Sequence, residues 1–156
     1  MQTKCYLAYG SNLNLSQMQA RCPGAELLGY TFLRNYRLIF RGSRSGSYLS
    51  IDPAKGESVP CGVFRITEAD ERSLDIYEGY PRFYRKVKFQ RLRLYSMDGE
   101  RISGSLTAMA YRLPDTAPAE MPARRYLKTC LEGYRDFGFE IENLMDALMN
   151  TLDEMD

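Results

Sequence analysis

The stretch Cys5-Tyr6-Leu7-Ala8-Tyr9-Gly10-Ser11-Asn12-Leu13 runs from strand-forming residues into turn-forming ones. Its first half is apolar and aromatic and suits a pleated, buried surface. Gly10-Ser11-Asn12 then favours a turn or a helix cap, and glycine lets a ligand approach the main chain closely. Behind the turn, Asn14 caps a short helix, and Gln17 three residues on completes a capping-box pattern. A strand, a glycine turn and a helix N-terminus present several free backbone N–H groups in one place. That suits a carboxylate, a phosphate or a developing oxyanion, although an ordinary strand-to-helix connection looks the same.

The stretch belongs to a chain of 156 residues, enough for one domain with a sizeable core, and residues 1–156 are expected to form a single domain. The formal net charge is +1, so no global field draws the chain to nucleic acid or to an anionic membrane. No basic region followed by an apolar run marks a signal peptide, and no apolar run is long enough to span a bilayer. Cys5, Cys22, Cys61 and Cys130 are scattered and form no C-x-x-C pair, as expected of packed thiols in a reduced, cytoplasmic protein.

The chain contains no histidine. Ser-His and Cys-His dyads are thereby excluded, along with most transition-metal sites. A general base near neutral pH must be a carboxylate, a perturbed lysine, a thiolate or a tyrosine. The expected choice is an Asp or Glu whose pKa is raised by burial.

Further along, Pro23-Gly24 ends the first helix, and residues 27–40 read as one or two strands broken near Arg34-Asn35. Gly42-Ser43-Arg44-Ser45-Gly46 reads as a mobile surface loop, lacking the spacing of a phosphate-binding loop. Residues 48–51 form a short strand, 52–56 a turn, and 59–66 another strand. Thr67 caps a helix with Asp70 in capping-box position, and Gly79 is a natural left-handed stop. Leu74 and Tyr77 mark its apolar side, and Glu78 falls four residues after Leu74 on that face. A carboxylate at the end of an apolar stripe and at a helix C-terminus is disfavoured in its charged form, as suits an acid–base catalyst.

Residues 82–96 form a long strand whose apolar series changes phase between Phe89 and Leu92, which predicts a bulge. Arg85, Lys86, Lys88, Arg91 and Arg93 alternate with it as a solvated face. Asp98-Gly99 turns a hairpin into a partner strand over 102–113, where Gly104, Ser105, Ala108 and Ala110 leave room for a helix or a ligand. After a proline-rich crossing, Pro122 starts a helix that Gly138 stops. Ile141, Leu144, Met145, Leu148 and Leu152 then trace a last amphipathic helix, packed on the sheet or offered to a partner.

Tyr6-Leu7-Ala8-Tyr9-Gly10-Ser11-Asn12-Leu13 resembles the opening signature of the gamma-glutamylcyclotransferase (AIG2-like) family: aromatic, any residue, Ala or Val, then Tyr-Gly-Ser and two further residues. Leu74-Asp75-Ile76-Tyr77-Glu78-Gly79 is similar to that family's catalytic Leu-Asp-x-x-Glu-Gly setting. Pro122-Ala123-Arg124-Arg125-Tyr126 matches its Pro-x-x-x-Tyr. The resemblance implies an α+β fold: a small, mostly antiparallel curved sheet closing toward a barrel, with helices round it. It implies Glu78 as the catalytic residue, and Tyr6, Leu7, Ala8, Tyr9, Gly10, Ser11, Asn12 and Tyr126 as substrate-binding residues. For Tyr126 a place in the core is equally open.

The implied reaction closes the gamma-glutamyl group of an amine or amino-acid conjugate to 5-oxoproline and releases the free amine. It implies no metal, nucleotide or other cofactor, and its partner is a small-molecule gamma-glutamyl substrate, with no nucleic acid and no membrane. Asn12 in the signature favours the amino-acid and amine branches of the family over the glutathione-specific one. Two other readings are a non-catalytic member of the fold that binds an anionic small molecule, and a nucleic-acid-binding barrel using the arginines of 82–93. Neither the leaving amine nor the oligomeric state is legible.

Overall fold

The computed structural model describes residues 2–43 and 45–156. The apolar run at the start forms β1 (Thr3–Ala8), a single 3-10 turn follows at Ser11–Leu13, and α1 spans Leu15–Arg21. Asn14 caps α1 by accepting from Gln17 N at 3.2 Å. The reciprocal half of the expected box is missing, because the Gln17 amide turns instead to Asn12 Oδ1 at 3.4 Å.

Two long strands follow, β2 (Glu26–Ser43) and β3 (Gly46–Thr67), paired antiparallel along most of their length. The break expected near Arg34-Asn35 is a bulge inside one strand, with Asn35 at φ 67°. The turn expected over 52–56 is not one. Pro53 pairs with Tyr36 and Ser58 with Arg34, and the intervening residues bow out while Asn35 Oδ1 accepts from Gly56 N at 3.0 Å. The segment read as a mobile loop after residue 41 is mostly strand, and Arg41 is buried in an ion pair with Asp52. Arg44 lies outside the described residues.

α2 (Glu68–Glu78) begins with the predicted reciprocal box between Thr67 and Asp70 and ends at Gly79 in the left-handed region, φ 66°. Leu74 is fully buried, but Tyr77 is 60% exposed, which corrects its assignment to the apolar side. Its ring stays outside as a platform for the Arg21 guanidinium, 4.2 Å from the ring centre. β4 (Arg85–Tyr95) and β5 (Arg101–Arg112) form the hairpin, with the phase change between Phe89 and Leu92 present as a register shift. On β5, Ala108 and Ala110 are buried in the core, whereas Gly104 and Ser105 are exposed and make room for nothing.

The strand order β1-β3-β2-β4-β5 closes into a barrel. The pairing of β1 with β5 is parallel and rests on Tyr6 opposite Met109, and β2 meets β4 at Tyr30 opposite Tyr95. α3 (Arg124–Phe137) starts two residues after Pro122 rather than at it, and stops at the left-handed Gly138. α4 (Glu142–Met155) lies along β2, buries Leu144, Ala147 and Thr151, and leaves Met145 and Leu152 outside. All four cysteines are free thiols. No helix of the described residues is long and apolar enough to cross a membrane.

Candidate active site

β1 sits between β3 and β5, so its end at Ala8 delivers the Gly10-Ser11-Asn12 turn to one mouth of the barrel. α3 holds that turn from behind. Asn14 Nδ2 donates to Glu132 Oε1 at 3.2 Å, and Leu15 N donates to Asp136 Oδ2 at 2.9 Å. Gly133 lets the helix backbone close on Leu13 and Asn14: a Cβ there would lie 2.5 Å from Asn14 N.

Asn12 is buried, and its side chain is committed to the protein. It donates to the Tyr6 hydroxyl at 2.9 Å and accepts from Arg21 at 2.8 Å. Tyr6 OH thus accepts, and its own proton stays free to donate. Among the described residues the N–H groups of Gly10, Ser11 and Asn12 find no acceptor, since the turn's own bonds begin at Leu13 N.

Two cavities meet at this mouth. A small inner one, of about 30 Å³, is lined by Tyr6, Leu7, Tyr9, Gly10, Ser11 and Asn12, and Glu78 and Tyr126 face it from outside the turn. An outer cleft of about 430 Å³ adjoins it and shares Ser11, Glu78, Tyr84 and Tyr126. Every residue expected at the site reaches the inner cavity except Ala8, which is buried against Gly62 of β3.

Tyr126 occupies both of the places left open for it. Its hydroxyl accepts from Leu49 N at 3.1 Å, its ring lies edge-on to Tyr48 and Phe40, and it lines both cavities. A Cβ on Gly10 would stand 2.9 Å from that hydroxyl, which measures how closely α3 approaches the turn.

The carboxylates of α2 divide sharply. Asp70 is held by the capping box, Glu71 by Lys4 and Lys86, and Asp75 by Lys86 and by the Tyr111 hydroxyl at 2.5 Å. Glu78 makes no hydrogen bond or ion pair with any described residue. Burial raises its pKa to about 7, with the Arg21 charge opposing the shift.

The other bases open to a chain without histidine fall away. Burial holds Tyr6, Tyr9, Tyr84 and Tyr126 above the usual tyrosine range, and pushes the thiols of Cys22 and Cys130 up to about 12. Lys86 is opposed by burial, but Glu71 and Asp75 outweigh that and keep it charged.

Sequence reasoning missed Arg21, Tyr84 and Tyr111. Arg21 had a legible signal, falling four residues after Gln17 on α1 and so on the same face. The two tyrosines had none, because only closure of the barrel brings β5 and the connection before β4 to the mouth.

A family model described as "Gamma-glutamyl cyclotransferase, AIG2-like" matches residues 6–129, well over half of the chain. The chain belongs to this family. Comparison with curated protein sequences gave no match. Among solved structures, a gamma-glutamyl cyclotransferase is similar at 23% identity and a TM-score of 0.72, over 94% of this chain and 86% of that one. An uncharacterized human protein is similar at 24% and 0.71, over 94% and 87%. YkqA from Bacillus subtilis gives 15% and 0.73, over 97% of this chain but 55% of its own. At these identities the likeness is one of fold: the cyclotransferase-family domain here is the same α+β barrel with its helices.

Proposed function

We propose that the protein is a gamma-glutamylcyclotransferase that converts gamma-glutamyl amino acids or amines to 5-oxoproline and the free amine. The observation that carries this reading is the Glu78 carboxylate, unpaired at the end of α2 and poised near neutral pH, on the cavity that the free N–H groups of the Gly10 turn also line.

In this reading the substrate folds so that its α-amine meets its own γ-carbonyl. Glu78 takes a proton from the α-ammonium, the amine attacks, and a five-membered ring closes. The oxyanion forms against the N–H groups of Gly10, Ser11 and Asn12, each such donor being worth about 3 kcal/mol. The amide C–N bond then breaks as Glu78 passes its proton to the leaving nitrogen. Two protons in all leave the attacking nitrogen and two arrive on the departing one, so Glu78 ends as the carboxylate it began. Because the attack is intramolecular, the protein's work is to hold the substrate folded and to carry a proton. Residues 1–156 act as one catalytic domain, in the cytoplasm, where the thiols stay reduced.

The rate should follow the carboxylate. We expect kcat/KM to rise with pH and to reach half its plateau near pH 7, since only ionised Glu78 can accept a proton. A profile flat from pH 5.5 to 8.5 on a substrate whose amine does not titrate there removes Glu78 from the role.

The outer cleft also speaks to the leaving group. Arg21 is its cation among the described lining residues and pairs with no carboxylate, its contacts being Asn12 and the Tyr77 ring. A leaving amino acid would bring the missing carboxylate. Charged hydrogen bonds of this kind are worth roughly 1.5–3 kcal/mol. Arg21→Met should therefore raise KM by about tenfold or more for gamma-glutamyl amino acids and change it little for gamma-glutamyl amines. Equal losses on both substrate types would sink this preference.

The test of the reaction class is 5-oxoproline release from a panel of gamma-glutamyl amides. A folded protein that is stabilised by 5-oxoproline yet turns over no member of the panel is a binding protein instead.

A further inference from the structure

β2 and β4 touch at Tyr30 and Tyr95 and then part, because each carries a bulge: β2 between Arg34 and Tyr36, β4 between Phe89 and Leu92. Among the described residues the non-glycine positions with positive φ are Asn35 and Arg91, one at each bulge. Backbone held in this region persists only where its surroundings demand it. The bulges open a groove of about 390 Å³ on the barrel's side. Phe32, Tyr36 and Tyr95 line it together with Arg34, Arg91 and Arg93. None of these arginines has an ion-pair partner among the described residues. Phe32 is 44% exposed, and the buried Thr31 hydroxyl at the groove is without a hydrogen-bond partner.

The outer face of α4 has the opposite character. Ile141, Met145, Met149, Leu152 and Met155 follow at spacings of three and four and are all exposed. Glu142, Asp146 and Asp153 flank them, and residues 140–156 contain no lysine or arginine. The face cannot turn inward within its own molecule. Asn150 Nδ2 donates to Leu38 O at 3.0 Å and Phe40 N donates to Thr151 Oγ1 at 2.9 Å, fixing the opposite side of α4 on β2.

The two surfaces adjoin. Phe139, just before α4, lies 5.8 Å from Tyr30, and Tyr30 in turn packs on Phe32 and Tyr95. A surface with an acidic apolar ridge beside a basic aromatic groove is complementary to itself: a two-fold rotation lays each ridge in the other copy's groove. Methionine sulfur and aromatic edges also attract one another.

We propose that the protein associates with a second copy of itself, the acidic, methionine-rich face of α4 lying in the arginine- and aromatic-lined groove between β2 and β4 of the other copy. Opposite charges set the register and speed the encounter, and the buried apolar stripe holds it.

Sedimentation velocity across a wide range of protein and salt concentrations tests this. The wild-type chain should dimerise, with the midpoint moving to higher protein concentration as salt is raised. R91E/R93E and E142K/D146K should each shift that midpoint upward at least tenfold, and an equimolar mixture of the two should recover a dimer, because only the mixed pair restores both contacts. These positions are exposed and lie outside the proposed active site, so 5-oxoproline release is expected unchanged and guards against misfolding, while E142K should lower the melting temperature slightly by removing the acid from the first turn of α4. Three results overturn the proposal: a wild-type monomer at every concentration, a dimer indifferent to both charge reversals, or a mixture that stays monomeric. A wild-type monomer that instead captures a single-stranded oligonucleotide or an acidic peptide through these arginines gives the groove another occupant.

Discussion

Glu78→Gln should lower kcat/KM for every gamma-glutamyl substrate by about 10³-fold or more while the fold survives. Glutamine keeps the size of the side chain and its place at the cleft, but it accepts no proton at neutral pH. Among the described residues that line the two cavities none is a substitute, because the buried tyrosines hold their protons and no second carboxylate faces the site. The residual rate would be that of a folded substrate held against the N–H groups of the turn.

The same variant makes a stability prediction with a definite sign. Glu78 ionises near 7 in the folded protein, whereas an unfolded chain releases that proton in the ordinary carboxylate range, near 4.3. Between those values the native state binds more protons than the unfolded one, so the carboxylate's presence makes stability fall as pH rises. Removing the charge should flatten that slope and stabilise the protein above pH 7, by on the order of 2 kcal/mol once the half-open position of the side chain is allowed for. Loss of activity with gain of stability is the signature of a residue kept for chemistry. A variant that loses both has merely been unfolded, and one that retains turnover ends the assignment of Glu78 as the base.

The two motifs that meet at the cleft were readable because each is local. Strand, glycine turn and cap follow one another over residues 5–17, and Thr67 to Gly79 carries its own start and stop signals. What could not be read depends on distant partners. Asp52-Pro53-Ala54-Lys55-Gly56 has the composition of a turn, yet Asn35 and Arg41 of β2 hold it in a long strand, so pairing overrode local preference. The period of α4 was legible, but not which half of its apolar surface faces inward. That was decided by Asn150 and Thr151, polar residues that bond to β2 and turn the Met145 side outward. Arg21, Tyr84 and Tyr111 come to the mouth from the end of α1, from the connection before β4 and from β5, and no spacing in the chain connects them.

Gly133→Ala should cost both stability and turnover, although alanine is the better helix former by about 1 kcal/mol. The new methyl group would stand 2.5 Å from Asn14 N, 2.6 Å from Leu13 C and 2.7 Å from Leu13 Cβ. Two of these are main-chain atoms of the turn, which cannot swing aside as the tip of a long side chain would. Either α3 lifts off or the turn moves into the cavity. Overpacking of this kind costs about 1–3 kcal/mol net, which for a chain of this size lowers Tm by roughly 4–10 °C. Turnover should fall further than that instability explains, because a displacement of about 1 Å in a substrate-positioning group costs on the order of 10²-fold. Gly138→Ala supplies the contrast. Its φ of 72° strains an alanine, but no atom lies within 4 Å of the added Cβ, so it should lose stability and keep kcat/KM at temperatures where it is folded. If Gly133→Ala behaves like Gly138→Ala, the turn is not held by the approach of α3. If it alone loses turnover while still folded, the backbone contact of α3 with Leu13 and Asn14 is what fixes the Gly10-Ser11-Asn12 N–H groups where the reaction needs them.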